Sequence, residues 1–262
     1  MSASLREPPR IFDDAYYQTL AEAERVNPWA AAMRCVGVEL LRRELDGRRV
    51  HSILDAGCGS GYFVKECARE LAIDRIVGGD LAAEAVRAAR ADGLAITARL
   101  SVDRLPFPDA LFDVVVSNDV LQHLTEDQCV ASLAETRRVL APGGVALIRT
   151  AARRGLGPKK HIDAEDYRQW LPASLRAALE HAGLSFRLAA RVNWLPSLLA
   201  DLRALSKPTP RGDVGLKLRP HESAWKERLL SAYWSGERAA VLGLGLRLPL
   251  GHTLFAAARR MN

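Results

Sequence analysis

From His51 onward, short aliphatic or β-branched runs alternate with longer stretches whose apolar residues recur every three or four positions. The first pattern predicts buried strands and the second predicts amphipathic helices. Strands are expected at residues 51–55, Arg75–Gly79, Ile96–Leu100, Phe112–Ser117 and Val145–Arg149, with helices at 61–72, Ala83–Ala91 and Thr125–Leu140. This βαβα rhythm predicts a Rossmann-like, mostly parallel α/β sheet with helices on both faces, where ligands collect at the carboxyl ends of the strands. Ala141-Pro-Gly-Gly144 reads as a structural turn ahead of the fifth strand.

The flanks are less regular. Residues 11–45 read as two helices broken at Asn27-Pro28, where Asn27 can cap the second helix and Pro28 suits its first turn. Past Thr150, a helix is expected at Ala164–Ala182, a sixth strand at Leu184–Val192 and a seventh at Thr253–Arg259. Asp163 with Asp166 has the form of a helix N-cap followed by an acid. The connection 193–251 is too long for a hairpin and carries an amphipathic helix at Trp194–Leu205, a Pro/Gly-rich run up to Pro220 and a second helical stretch, Glu222–Leu244. A connection of this kind predicts a mobile substrate lid. The expected organisation is an N-terminal helical cap (1–45), a core (46–192), a lid insert (193–251) and a last core strand (252–262).

The chemistry concentrates in Ser52-Ile-Leu-Asp-Ala-Gly-Cys-Gly-Ser-Gly-Tyr62. A buried strand ends at Asp55, and Gly57, Gly59 and Gly61 let the backbone turn sharply beside a ligand before a helix opens at Tyr62. A dinucleotide fingerprint places its third glycine three positions after the second, so the G-x-G-x-G spacing argues against NAD.

An acid two positions before the first glycine, the G-x-G-x-G loop and a second acid, Asp80, ending the next strand together resemble the first motifs of class I S-adenosylmethionine (SAM) methyltransferases of the small-molecule type. The Ala-Pro-Gly-Gly turn and Leu105-Pro-Phe107 are similar to turns of the same family. The resemblance implies a seven-stranded sheet whose last strand runs antiparallel between the fifth and sixth, and SAM as cofactor. It implies that Gly57, Gly59 and Gly61 pass along the amino-acid end of SAM, that Asp55 favours its ammonium, that Asp80 accepts the ribose hydroxyls and that Leu81 lies against adenine. Relatives commonly carry an aspartate where this chain has Ser101, so the adenine amino group is expected to meet Ser101 or Asp103, with the amide of Val102 serving the ring. Asn118 is expected to face the sulfonium region through its backbone. Arg34, with Tyr16, Tyr17 and Trp29 nearby, stands where an arginine of the helical cap often reaches the methionine carboxylate.

Two histidines are candidate bases: His123, one turn past the fourth strand, and His161, past the fifth. Imidazole titrates near neutrality and can take a proton from a hydroxyl, so an oxygen acceptor is the expected substrate class. The four cysteines show no paired spacing, which excludes a disulfide framework or zinc site as a reading, and no metal is expected. The start of the chain has no apolar segment of signal-peptide form and no run reaches membrane-spanning length without charge or proline, so a cytoplasmic enzyme without membrane insertion is expected. Net charge is +6, with the basic excess after residue 150. That excess suits a small-molecule acceptor carrying an anionic group. Amino methyltransferases of DNA carry N/D-P-P-Y/F where this chain reads Asn118-Asp-Val-Leu121, and there is no nucleic-acid module, so no nucleic-acid partner is expected. The alternatives are a nucleic-acid methyltransferase drawing on the basic half, or a fold that holds SAM structurally while catalysing a reaction such as cyclisation.

Overall fold

The computed structural model describes residues 14–153, 168–206, 224–243 and 250–261. Two helices, α1 (Asp14–Val26) and α2 (Pro28–Leu45), precede a core in which β1 (Ser52–Ala56), α3 (Tyr62–Leu71), β2 (Arg75–Asp80), α4 (Ala83–Ala91), β3 (Ile96–Arg99), β4 (Phe112–Asn118), α5 (Glu126–Val139) and β5 (Leu140–Ala151) follow in turn. After them come α6 (Pro172–His181), β6 (Leu184–Val192), α7 (Trp194–Ser206), α8 (Ala224–Arg238) with a wider turn at Ala239–Gly243, and β7 (Thr253–Arg260). The strands form one sheet in the order β3-β2-β1-β4-β5-β7-β6, with β7 antiparallel to both neighbours and the remaining pairs parallel.

Alternation along the strands divides the core. Ile53, Val114, Val116, Leu147, Phe255 and Ala257 face α2 and α3, whereas Leu54, Val115, Ala146, Ile148, Leu254 and Ala256 face α5 and α6. Because both faces are covered, these strands read as continuous apolar runs. Strand order reverses between β1 and β4, which opens a crevice at their carboxyl ends.

Caps fix the helix starts. The Asn27 side chain accepts from the amide of Trp29 at 2.8 Å, with Pro28 in the first turn of α2, as the sequence predicts. Thr125 and Gln128 form a reciprocal capping box on α5. Two expectations are corrected. The helix expected at Ala164–Ala182 begins at Pro172; Arg168–Leu171 are not helical, and Trp170 instead bridges to Ala152. The Ala141–Gly144 turn lies inside a longer strand: pairing jumps from Phe112 with Leu140 to Val114 with Val145, so the turn bulges out of β5 rather than preceding it.

Within the expected lid, α7 and α8 are tied together. A buried Glu237 of α8 accepts from the amides of Asn193 and Trp194, satisfying the first turn of α7, and the Tyr233 hydroxyl accepts from the amide of Leu195. The Pro/Gly-rich run expected to be mobile lies outside the described residues apart from Ser206.

Candidate active site

The loop after β1 is held from both sides. The amides of Gly57 and Cys58 donate to the carbonyl of Gly79 at 2.7 and 3.0 Å, drawing the loop against the end of β2. Gly57 has φ +90°, and a Cβ there would stand 2.2 Å from Cγ2 of Val120, so only glycine lets the loop pass the β4 end this closely. Cys58 packs inward, and burial pushes its thiol far up, which leaves it unreactive.

Asp80 is oriented by the same loop. Oδ2 accepts from the amide of Gly59 and Oδ1 from the amide of Ala82, each at 3.0 Å, while the Tyr17 hydroxyl donates to Oδ1 at 3.5 Å. Its carboxylate still has lone pairs for a diol. Burial raises its pKa, and these donated hydrogen bonds oppose the rise. Asp55 is only 1% exposed, and its Oδ1 has no hydrogen-bond partner. Burial first, then the charges of Glu24 and Asp80, push Asp55 well above the ordinary carboxylate range, with Arg149 pulling the other way.

Helix α1 roofs the loop. Leu20 stands over Gly59, and Glu24 accepts from the hydroxyl of Ser60, in the loop itself, at 3.1 Å. Burial raises the Glu24 pKa against the pull of Arg149 and Arg34. Arg34, expected at the methionine carboxylate, has Nε on Glu66 of α3 at 2.5 Å and Nη1 on the carbonyl of Glu24 at 2.8 Å. As placed, it ties the end of α1 to α2 and α3. The Tyr16 side chain lies outside the described residues.

At the β4 end, both side-chain polar atoms of Asn118 are buried without a hydrogen-bond partner, and so is Nε1 of Trp29. Such orphaned groups mark a place where a ligand completes the bonding. Asp119, at φ +57°, receives Nε and Nη2 of Arg149 at 3.0 and 2.6 Å, and the Arg149 guanidinium lies 5.7 Å from the centre of the Trp29 ring. His123 ends a short 3₁₀ turn, Leu121–His123. Burial lowers its pKa and the Asp119 charge partly restores it, so the ring is kept neutral below its ordinary titration range. Its neighbour Gln122 is fixed, its Oε1 accepting from the amide of Ala151 at 2.8 Å and its carbonyl from the amide of Arg168 at 2.7 Å.

On the opposite side, Ser101 and Val102 follow β3 as expected, and the Ser101 hydroxyl donates to Asp103 at 2.5 Å. The two alternatives for the adenine contact are therefore joined into one acceptor pair. Leu81, partly exposed, follows Asp80, and its carbonyl is held by Nε of Arg99. His161 lies outside the described residues. No cluster of His, Cys, Asp or Glu among the described residues has the form of a metal site.

Sequence reasoning missed Glu24, Asp119 and Arg149. A cation inside the apolar run of β5, one position before Thr150, was the available signal for Arg149. Glu24 gave none, because its place depends on how α1 folds back over the loop.

A sheet with β7 inserted antiparallel, a glycine loop at the β1–β4 crevice and an acid ending β2 define a SAM-binding α/β fold. The signature described as a methyltransferase domain matches residues 54–148. A malonyl-acyl-carrier-protein O-methyltransferase from Erwinia billingiae is 30% identical over 197 residues, covering 70% of this chain and 74% of that protein. The chain spans about half the length of the first curated relatives it matches, 51% and 48%. Among solved structures, a SAM-dependent methyltransferase from Archaeoglobus fulgidus aligns with a TM-score of 0.58 at 16% identity over 93% of this chain and 99% of its own. The 4+2 cyclase SpnF aligns with a TM-score of 0.55 at 22% identity over 86% and 79%. Both structural likenesses concern the fold alone. The chain belongs to the class I SAM-dependent methyltransferase family, whose methyl donor is SAM.

Proposed function

We propose that the protein transfers a methyl group from SAM to the oxygen of a small-molecule acceptor. The observation that carries the cofactor part of this reading is the group of carboxyls gathered at the glycine loop, Glu24, Asp55 and Asp80, of which the buried Asp55 keeps an unbonded oxygen. A cationic ligand complements that group, and SAM carries both an ammonium and a sulfonium. The remaining parts fit. Asp80 accepts the ribose hydroxyls, Leu81 and the Ser101–Asp103 pair with Val102 serve adenine, Gly57, Gly59 and Gly61 admit the amino-acid end, and Asn118 faces the reacting centre. Arg34 serves the cofactor by holding α1 over the loop.

SAM supplies an electrophilic methyl group. The chain's part is to position the acceptor, exclude water and receive one proton. The side-chain amide of Gln122 lies 3.4 Å from Nε2 of His123. The His123 imidazole accepts the hydroxyl proton as the oxygen takes up the methyl group, and later loses it to water. Arg168, whose amide bonds to Gln122 and whose guanidinium lies 5.6 Å from the Trp170 ring centre and 3.6 Å from the exposed Glu126 carboxylate, is the candidate cation for an anionic group of the acceptor.

The test is incubation with SAM and a panel of hydroxylated, carboxylated metabolites, followed by mass spectrometry for S-adenosylhomocysteine and methylated product in equal amounts. A product formed without consumption of SAM would sink the reading in favour of a cofactor held structurally.

A further inference from the structure

The two halves of α8 have opposite surroundings. The second half is seated: Trp234 and Glu237 are buried, Tyr233 packs against the α2 and α3 side of the core, and the Tyr233 hydroxyl and Glu237 carboxylate hold the first turn of α7. In the first half every residue whose burial is described is exposed, among them Trp225 at 63%, Leu229 at 62% and Leu230 at 38%. Trp225 and Leu229 are four positions apart and share one side of the helix. At about 3.6 residues per turn, the buried Trp234 lies on the side opposite Trp225, so this apolar line faces away from the core. Helix α7, rooted on the same Glu237, repeats the pattern: Leu199 and Leu202 are exposed while Ser197 is buried. A single exposed leucine needs no explanation, but a Trp–Leu line on a helix half that stands clear of the core marks a contact surface.

We propose that the first half of α8 seats on an anionic lipid surface, with Trp225 and Leu229 entering the boundary between headgroups and acyl chains. No described helix is long and apolar enough to cross a membrane, so the contact is one of lying on the surface. Shape and charge select this occupant. Trp225 and Leu229 make a ridge rather than a groove, and a bilayer interface takes up a ridge of Trp and Leu without needing a matching cavity. The exposed Arg228 precedes Leu229, and a guanidinium on a long stem reaches back to phosphate headgroups while its neighbour is buried in lipid. The chain as a whole is +6, with the basic excess in the half that contains α8. That balance attracts anionic lipid, whereas docking on a second copy of this chain would bring like charges together.

Flotation of the full chain with two kinds of vesicle, phosphatidylcholine alone and phosphatidylcholine mixed with phosphatidylglycerol, tests the proposal. The wild type should float with the mixed vesicles and much less with the neutral ones. The double variant Trp225→Ser, Leu229→Ser should partition about tenfold or more weaker into the mixed vesicles, with the thermal midpoint of the wild type. Failure of the wild type to float overturns the proposal, and equal flotation with both vesicles removes the anionic lipid from it. Undiminished flotation of the variant would move the contact off α8. A lowered midpoint in the variant would mean that the two side chains pack on this chain itself. A dimer in sedimentation velocity that the variant abolishes, with no vesicle binding by either protein, would give the face to a second copy instead.

Discussion

Arg149, near the carboxyl end of β5, donates through two of its nitrogens to one oxygen of Asp119, the first residue past β4. The amide of Asp119 donates in return to the carbonyl of Arg149 at 2.8 Å, so the two strand ends are locked by backbone and side chain together. The consequence is electrostatic as well as mechanical. Arg149 is spent on Asp119, and its partial pull on Glu24 and Asp55 does not cancel the effect of their burial.

Asp119→Asn keeps a side chain that tolerates the left-handed backbone but leaves the Arg149 charge poorly compensated. Stability should fall by about 1–3 kcal/mol, read as a lower midpoint in thermal denaturation. Because the Asp119 charge raises the His123 pKa, its loss lets that pKa fall further, and the acid limb of the pH–rate profile should move to lower pH. An unshifted limb would separate Asp119 from His123.

Asp80→Ala should weaken SAM binding by tens-fold or more, since paired hydrogen bonds to a carboxylate are worth about 1.5–3 kcal/mol. The amides of Gly59 and Ala82 lose their acceptor at the same time, so 5′-methylthioadenosine should suffer equally. Calorimetry with both ligands checks this. Unchanged affinity would remove Asp80 from the ribose.

How much of this was legible beforehand depends on the range of the interactions. The glycine loop, the strand-end positions of Asp55 and Asp80 and the Asn27 cap rest on local spacing, while the antiparallel β7, set by pairing between distant strands, is legible only through the family resemblance. The start of α6 was misplaced because apolar periodicity runs smoothly through residues 168–171, while Pro172 and the Trp170–Ala152 bridge decide the boundary. Arg34 is expected at the ligand because its place in the cap resembles that of an arginine in related enzymes, whereas its pairing with Glu66, on another helix, is announced by nothing local. Glu24 is the extreme case, an ordinary helix acid until α1 lies across Ser60.

The raised carboxylates make the free protein's stability depend on pH in a stated direction. Glu24 and Asp80 add to the repulsion on Asp55 and Asp119 to that on Glu24, while Arg149 opposes the rise at Glu24 and Asp55 and Arg34 opposes it at Glu24. For a group whose folded pKa lies above its unfolded value, the stabilising contribution is present below the unfolded pKa and is lost as pH rises through the folded one. Without cofactor, the denaturation midpoint should therefore fall as pH climbs from the ordinary carboxylate range toward neutrality. SAM should flatten that slope and release protons on binding, measurable by calorimetry in buffers of different ionisation enthalpy. A midpoint that rises over the same window would show these carboxylates to be stabilised as anions in the free protein.

His123 is the residue on which the reaction, as opposed to cofactor binding, is expected to turn. Burial keeps the imidazole neutral below its ordinary range, the state a base requires, and the ring sits on the 3₁₀ turn that leads out of β4 past Asn118. Removal of a positioned base costs about 10²–10⁴-fold in rate, whereas orientation of the acceptor survives the change. With a hydroxylated acceptor in hand, His123→Ala should lower kcat by that order and leave SAM affinity nearly intact. The wild-type rate should rise with pH through an apparent pKa below the ordinary histidine value, and that limb should vanish in the variant. A loss under about five-fold, short of what a base supplies, would mean that the site works by holding the acceptor in line, with the proton lost directly to water.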